Sequence, residues 1–274
     1  MAQDWRTLDK ALTVDPGTHA ALQKRDPQGE AHFPDRDKAE AQLAKDAAAI
    51  DALQDRLFAE GKRSLLVVLQ GIDTSGKDGT VRGVFNGCGP LGVRVTPFGR
   101  PTDVELAHDY LWRVHQACPP RGMIGIFNRS HYEDVLVVKV RKLCPAEAIA
   151  HRYEEINAFE KHLTQNGTTI LKFMLHISKD EQKQRLQDRL DDPTKHWKFN
   201  PGDLEDRALW DDYQSAYEDA VIKCSTKHAP WRVVPAEKKW RRNAAIAAIV
   251  RGTLEDMDPQ YPKATFDPKA IKVV

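Results

Sequence analysis

The sequence predicts an α/β fold, a three-layer sandwich with a five-stranded parallel sheet and helices on both faces. Five short apolar runs, at 65–70, 93–98, 123–127, 169–177 and 231–235, alternate with longer stretches of helical spacing. Such alternation produces parallel strands joined by crossovers, and a parallel sheet has to be covered on both sides. The first run leads straight into a glycine-rich turn, Gly71 to Thr80, of the kind that opens a helix at the carboxyl edge of a sheet. With 274 residues the chain can bury one sizeable core.

Residues 1–35 are polar, carry Pro16, Pro27 and Pro34, and are expected to form an irregular leader. A single domain is expected over 36–257. Within Asp37 to Glu60, Leu43, Ala47, Ile50, Leu53 and Leu57 recur at helical spacing, and Gly61 supplies a stop. The first strand and the glycine turn follow, then a helix beginning Val81-Arg82-Gly83-Val84-Phe85. After the second strand, 103–116 reads as one helix, stopped by Pro119-Pro120. The third strand ends at Asn128-Arg129-Ser130, and 145–166 is a helix closed by Gly167. Ser178 is placed to cap a helix over 179–190. A loop spans 191–202, and 204–223 reads as a helix whose core face is Leu204, Ala208, Tyr213, Ala216, Tyr217 and Val221. The fifth strand precedes a helix over 238–255, and the proline-rich tail 258–274 is expected to be extended. The chain shows no internal repeat or low-complexity stretch.

Charge is nearly balanced, 41 basic against 40 acidic residues, so no overall footprint points to nucleic acid and any polyanion site must be a local patch. Cys88, Cys118, Cys144 and Cys224 are widely spaced and form no disulfide framework. No apolar run reaches membrane length and no signal-peptide pattern opens the chain. These features lead to the expectation of a reduced cytoplasmic protein that binds neither membrane nor nucleic acid.

The glycine turn has P-loop spacing: Gly71, four residues, then Gly76-Lys77. Backbone N–H groups at a helix N-terminus, with a lysine above them, form a cradle for phosphate oxygens. The candidate phosphate-binding set is Gly71, Thr74, Ser75, Gly76, Lys77, Asp78, Gly79, Thr80 and Arg82. Two features depart from the common loop. Asp78 stands where Ser or Thr would ligate magnesium, and a second carboxylate, Asp73, lies inside the turn. Extra negative charge suits a phosphate site when metal ions lie between the carboxylates and the phosphates; otherwise the two acids are merely solvated. Because the third strand ends on the same sheet edge, Asn128 and Arg129 should lie beside the loop. Asn128 takes the place of the usual strand-end Asp, and Arg129 offers a bidentate phosphate contact. Glu133 and Asp134 either supply the missing carboxylate or are ordinary first-turn helix acids.

The segments Gly-Ile-Asp-Thr-Ser-Gly-Lys-Asp-Gly-Thr (71–80) and Phe-Asn-Arg-Ser-His-Tyr-Glu-Asp-Val (127–135) resemble the paired motifs of the family-2 polyphosphate kinases. Asp-Pro-Thr-Lys-His-Trp-Lys-Phe (192–199) and Ala-Pro-Trp-Arg-Val-Val-Pro-Ala (229–236) match as well, so the resemblance runs from about 35 to about 260. Asn128 in the second motif is similar to the single-domain subgroup that accepts nucleoside monophosphates as well as diphosphates. Thr74-Ser75 stand where the family commonly has two small apolar residues. The resemblance implies a P-loop kinase-like core similar to thymidylate kinase, with a helical lid. It also implies inorganic polyphosphate as donor, AMP or ADP as acceptor, magnesium (Mg2+) as cofactor, and a homo-oligomer.

Under that reading Asp73, Lys77, Arg129, Arg185 and Arg189 are the catalytic set, and Asp73, Asn128 and Glu133 the metal set. Arg185 and Arg189, four apart, share a helix face, and the lid is placed at about 185–202. Taken alone, those charges read equally as a solvated face. Lys139, Arg141 and Lys142 are candidates for the rest of the donor chain, Lys139 and Arg141 falling on one side if the segment alternates. The acceptor is expected at Phe98, Arg100, Pro101 and Thr102, with Glu133, Asp134, Lys195 and Trp197 also assigned to it, although Phe98 could equally be core. The cluster Lys238-Lys239-Trp240-Arg241-Arg242 is the densest basic group, and its place at a helix start reads as a solvated surface as readily as a polyanion contact. The ten histidines, His131 among them, show no metal-ligand spacing. The rival functions are an ATP-dependent nucleoside monophosphate kinase and a non-catalytic nucleotide- or nucleic-acid-binding module. Asp78 and Asn128 weigh against the first, and Lys77 with the balanced charge against the second.

Overall fold

The computed structural model describes residues 4–273. In chain order the helices and strands are α1 (Trp5–Leu12), α2 (Arg36–Glu60), β1 (Ser64–Gln70), α3 (Lys77–Phe85), β2 (Val93–Pro97), α4 (Asp103–Leu106), α5 (Trp112–Ala117) and β3 (Ile124–Asn128). They continue as α6 (Val137–Val140), α7 (Ala146–Gln165), β4 (Thr168–His176), α8 (Lys179–Asp191), α9 (Gly202–Ala208), α10 (Trp210–Cys224), β5 (Trp231–Pro235) and α11 (Lys239–Met257). The five strands form one sheet in the order β2-β3-β1-β4-β5, every pairing parallel. β1 is buried along its whole length, as its run Ser-Leu-Leu-Val-Val-Leu-Gln requires of a central parallel strand.

This order makes β1 a switch point. The chain leaves β1 through α3 toward one edge, and leaves β3 through α7 across β1 to β4 on the other side. Right-handed crossovers running in opposite directions put α3 and α7 on opposite faces. α2, α3 and α11 pack together in one layer, α7 with α10 in the other. Register pairs Leu69 with Asn128, so the loop after β1 and the segment after β3 emerge side by side.

Four expectations are corrected. The leader is not irregular: Asp4 caps α1, whose Leu8 and Leu12 are buried, and Val14 N donates to Trp231 O at 2.9 Å along the outer side of β5. Trp5, Leu8 and Leu12 recur at helical spacing, a short signal submerged in a polar average. The single helix over 103–116 is two, α4 and α5, because the Asp109 side chain accepts the Leu111 N–H at 3.0 Å and turns the backbone between them. The helix over 204–223 is also two, parting at Leu209; Leu204 and Ala208 are exposed while Tyr213, Ala216, Tyr217 and Val221 are buried. Finally, 137–140 is helical rather than alternating. Lys139 there pairs with Asp219, and Arg141 with Glu205 and Asp206 at 3.0 and 2.8 Å.

Candidate active site

The turn after β1 is built around positions only glycine tolerates. Gly71 has φ 153°, and a Cβ there would lie 2.6 Å from Ser75 Oγ and 2.8 Å from Leu175 O. Gly76 has φ 103°, and its Cβ would lie 1.9 Å from Arg242 Nη1. The turn therefore closes tightly and delivers the N-terminus of α3 to the sheet edge. The hydroxyls of Thr74 and Ser75 are buried there without hydrogen-bond partners. Lys77 is buried and folds back so that Nζ donates to Gly71 O at 2.7 Å. Burial, reinforced by Arg129, pushes this ammonium down to about 8.

The segment after β3 is fastened beside the turn. Arg129 N donates to Leu69 O at 3.0 Å, and Gln70 Nε2 donates to Ser130 Oγ at 3.0 Å. Below it, Lys172 Nζ donates to Glu160 Oε2, Cys224 O and Tyr132 OH at 2.6, 2.7 and 2.8 Å, and His131 meets Glu160 at 3.2 Å. These four side chains are almost wholly buried, so the motif rests on a filled polar floor. Arg129, at φ 63°, pairs with Asp73 and with Glu133 at 3.3 Å. Burial works against the Asp73 carboxylate, but Arg129 and Lys77 outweigh it and hold Asp73 below the ordinary carboxylate range. Asn128 Nδ2 donates to Asp78 Oδ1 at 2.7 Å.

These groups face a cleft of about 550 Å³ at the carboxyl edge of the sheet. Asp73, Thr74, Gly76, Lys77, Asp78, Gly79, Phe98, Asn128, Arg129, Arg185, Arg189 and Lys195 all line it. Eight lining residues are basic (Lys77, Arg129, Arg185, Arg189, Lys195, Lys198, Lys239, Arg242) and four acidic (Asp73, Asp78, Asp188, Asp203), a strong local patch in a balanced chain. Phe98 serves two purposes, packing edge-on against Phe127 at 4.8 Å and forming the cleft wall with Pro97 and Gly99. Arg113 braces that wall, donating to Gly99 O at 3.0 Å.

Other predicted residues lie elsewhere. Arg82 and Arg100 are exposed outside the lining, as is Thr102, whose side chain caps α4. Pro101 is half-buried beside them, and Thr80 is buried with its hydroxyl on Gly76 O at 3.2 Å. Glu133 reaches the cleft only through Arg129, and Asp134 turns away to Arg152 at 3.2 Å; burial pushes Asp134 up to about 6. Lys139, Arg141 and Lys142 do not line the cleft, and Trp197 is 77% exposed under Lys198. Arg185 lines it but spends its donors on protein: Thr74 O, Ala236 O and Glu237 O at 2.8 Å, and Glu181 at 2.8 Å.

Arg242 is the main residue that sequence reasoning missed. Its guanidinium is buried against Gly76 and Gly79, and burial together with Arg185 pushes it down to about 10. One signal was available: the cluster at 238–242 follows the fifth strand, whose end lies on the same sheet edge as the loop.

A family model described as Polyphosphate kinase 2 (PPK2) matches residues 34–262. The chain belongs to the polyphosphate kinase 2 family. It is 53% identical over 259 residues to an AMP/ADP-polyphosphate phosphotransferase of Meiothermus ruber, spanning 93% of this chain and 96% of that protein. An ADP-polyphosphate phosphotransferase of Rhodopseudomonas palustris is 41% identical over 225 residues, 78% of each chain. The crystal structure of polyphosphate kinase 2 from Arthrobacter aurescens superposes with a TM-score of 0.92 at 45% identity, covering 98% of this chain and 95% of that one. The fold is thus that of the polyphosphate kinase 2 family, and the chain is an enzyme that transfers phosphoryl groups.

Proposed function

We infer that this family member transfers a phosphoryl group from inorganic polyphosphate to nucleoside mono- and diphosphates, AMP and ADP among them. The observation that carries this reading is the excess of basic over acidic side chains around one cleft in an otherwise balanced chain, which suits a donor charged along its whole length. The names of its relatives support the same donor and acceptors.

The α3 N-terminus and the turn amides receive phosphate oxygens, Lys77 exchanges Gly71 O for the phosphates flanking the scissile bond, and Arg129 and Arg189 meet the donor chain. The acceptor lies against Pro97, Phe98 and Gly99, and its phosphate oxygen, already ionised near neutral pH, needs alignment more than deprotonation. No histidine is required as a base, and buried His131 is not placed in the cleft lining. Arg242 braces the cradle at Gly76 and Gly79.

Magnesium fits the chemistry of the donors present. Among the described residues no three His, Cys, Asp or Glu gather to form a protein cage, whereas magnesium is commonly held by one or two carboxylates and the substrate phosphates. Asp73 and Asn128, which line the cleft, would hold it, with Glu133 assisting from behind Arg129; bound there, it would supply charge neutralisation among the phosphates. A homo-oligomer belongs to the same reading and is checked by sedimentation.

The deciding assay incubates the protein with long-chain polyphosphate, magnesium and AMP or ADP, without ATP, and follows new nucleotide. No product there, with ADP formed from ATP and AMP instead, would overturn the reading in favour of an ATP-dependent monophosphate kinase.

A further inference from the structure

We propose that residues 26–33 of the N-terminal segment act as a strap that positions the phosphate cradle through two relays. Both start from backbone carbonyls or close packing in the strap and end on the turn after β1.

The first relay runs through Arg241. Its buried guanidinium donates from Nε to Phe33 O at 2.8 Å and from Nη1 to Gln28 O at 3.2 Å. These bonds fix the first turn of α11, and the next residue is Arg242, which occupies the space a side chain at Gly76 or Gly79 would need. A planar guanidinium held at two points resists rotation in a way a single contact does not. Any roll of the α11 start would therefore move Arg242 against the cradle.

The second relay runs through the turn after β5. Glu237 N donates to Pro27 O at 3.1 Å, and Gly29, at φ 69°, lies so close to Pro235 that a Cβ would sit 2.7 Å from the proline Cβ. The strap itself is held in shape by Asp26, which accepts from the N–H of Gln28 and Gly29, both at 2.8 Å. The same turn offers Ala236 O and Glu237 O to Arg185, whose other arm holds Thr74 O. Strap, turn, arginine and loop thus form one chain of direct contacts. The strap lies before residue 34, where the match to the family model begins.

Arg241 and Gly29 are positioning residues, and a purely structural role would lower stability without altering the cradle. Three variants separate the cases. Arg241→Met removes both anchors, and Gly29→Ala presses on Pro235 while forcing a side chain into left-handed backbone. Leu163→Ala is the control, destabilising α7 in the opposite helical layer, away from the strap relays. Hydrogen exchange of the amides at 73–80 should speed up by about tenfold in the first two variants and stay at the wild-type rate in the third. The KM for polyphosphate should rise about tenfold in the first two with kcat within about threefold, and Arg241→Lys should recover part of the loss. Unchanged exchange at 73–80 in both strap variants, or equal loosening in Leu163→Ala, would overturn the proposal. If Arg241→Met does not fold, Gly29→Ala carries the test. The KM arm rests on polyphosphate as donor; the exchange arm does not, so wild-type protein lacking turnover would strike that reading and leave exchange to decide the strap.

Discussion

Lys77 carries the sharpest residue-level consequence, because the proposed chemistry needs its charge while its burial disfavours it. Lys77→Ala should lower kcat by about 10²–10³-fold, the range for losing one preorganised charge at a transition state, with the melting temperature within a few degrees of wild type. Its ammonium is pushed from 10.5 down to about 8, so between those values the unfolded chain binds more protons than the folded one. The stability this group contributes is therefore least below about pH 8 and grows as pH rises toward 10.5. A bound polyanion favours the charged form, so polyphosphate binding near pH 9 should take up a proton. Calorimetric titrations in two buffers of different ionisation enthalpy should then give different apparent enthalpies, a difference that Lys77→Met abolishes. Asp73→Asn should raise the magnesium needed for half-maximal rate by about tenfold or more; an unchanged magnesium dependence would overturn Asp73 as the metal's carboxylate.

At the scale of elements, α8, the turn at 193–198 and α9 are tied together through one arginine, and we propose that 185–202 within them closes as a lid. Arg189 Nη1 donates to Lys198 O at 2.9 Å and meets Asp203 Oδ2 at 3.2 Å. Burial, with Asp73 nearby, pushes Asp203 above the ordinary carboxylate range, against the pull of Arg189 and Arg129. Most of 191–200 is exposed, which gives it little apolar burial to resist local opening. Hydrogen exchange across 185–202 should slow by about tenfold on adding polyphosphate and nucleotide with magnesium. Equal protection with and without ligands would show that these helices do not close.

Over the whole molecule, stability and site geometry meet at the buried ion pair between Lys172 on β4 and Glu160 on α7. The same lysine binds Cys224 O at the end of α10 and Tyr132 OH in the second motif, so one ammonium joins sheet, helical layer and active-site loop. Lys172→Met leaves Glu160 buried without its counter-charge and should cost about 3–5 kcal/mol. The midpoint of urea unfolding checks this; a loss under about 1 kcal/mol would mean that water or His131 takes over the lysine's role.

The sequence by itself determined the parallel α/β sheet, the turn at 71–80 and its neighbourhood with Asn128-Arg129, because each depends on local facts. Apolar runs fix strands, glycines fix the turn, and parallel topology puts both strand ends on one edge. Cleft residues outside those runs were less legible. Arg185 was readable as a cleft residue, but only the folded chain shows that its donors are spent on Thr74, Ala236 and Glu237 rather than left free. Lys139 and Arg141 looked like donor-chain ligands until α6 turned them toward Asp219, Glu205 and Asp206. The sequence put the 238–242 cluster after the fifth strand and gave 5–12 a helical spacing, but that Arg242 is buried at Gly76 and that Leu8 and Leu12 dock beside β5 was decided by tertiary structure. Charge and polarity in a sequence state what a side chain can bind, whereas its partner is set by which distant surfaces pack together, and neither α11 nor α1 carries that information in its own residues.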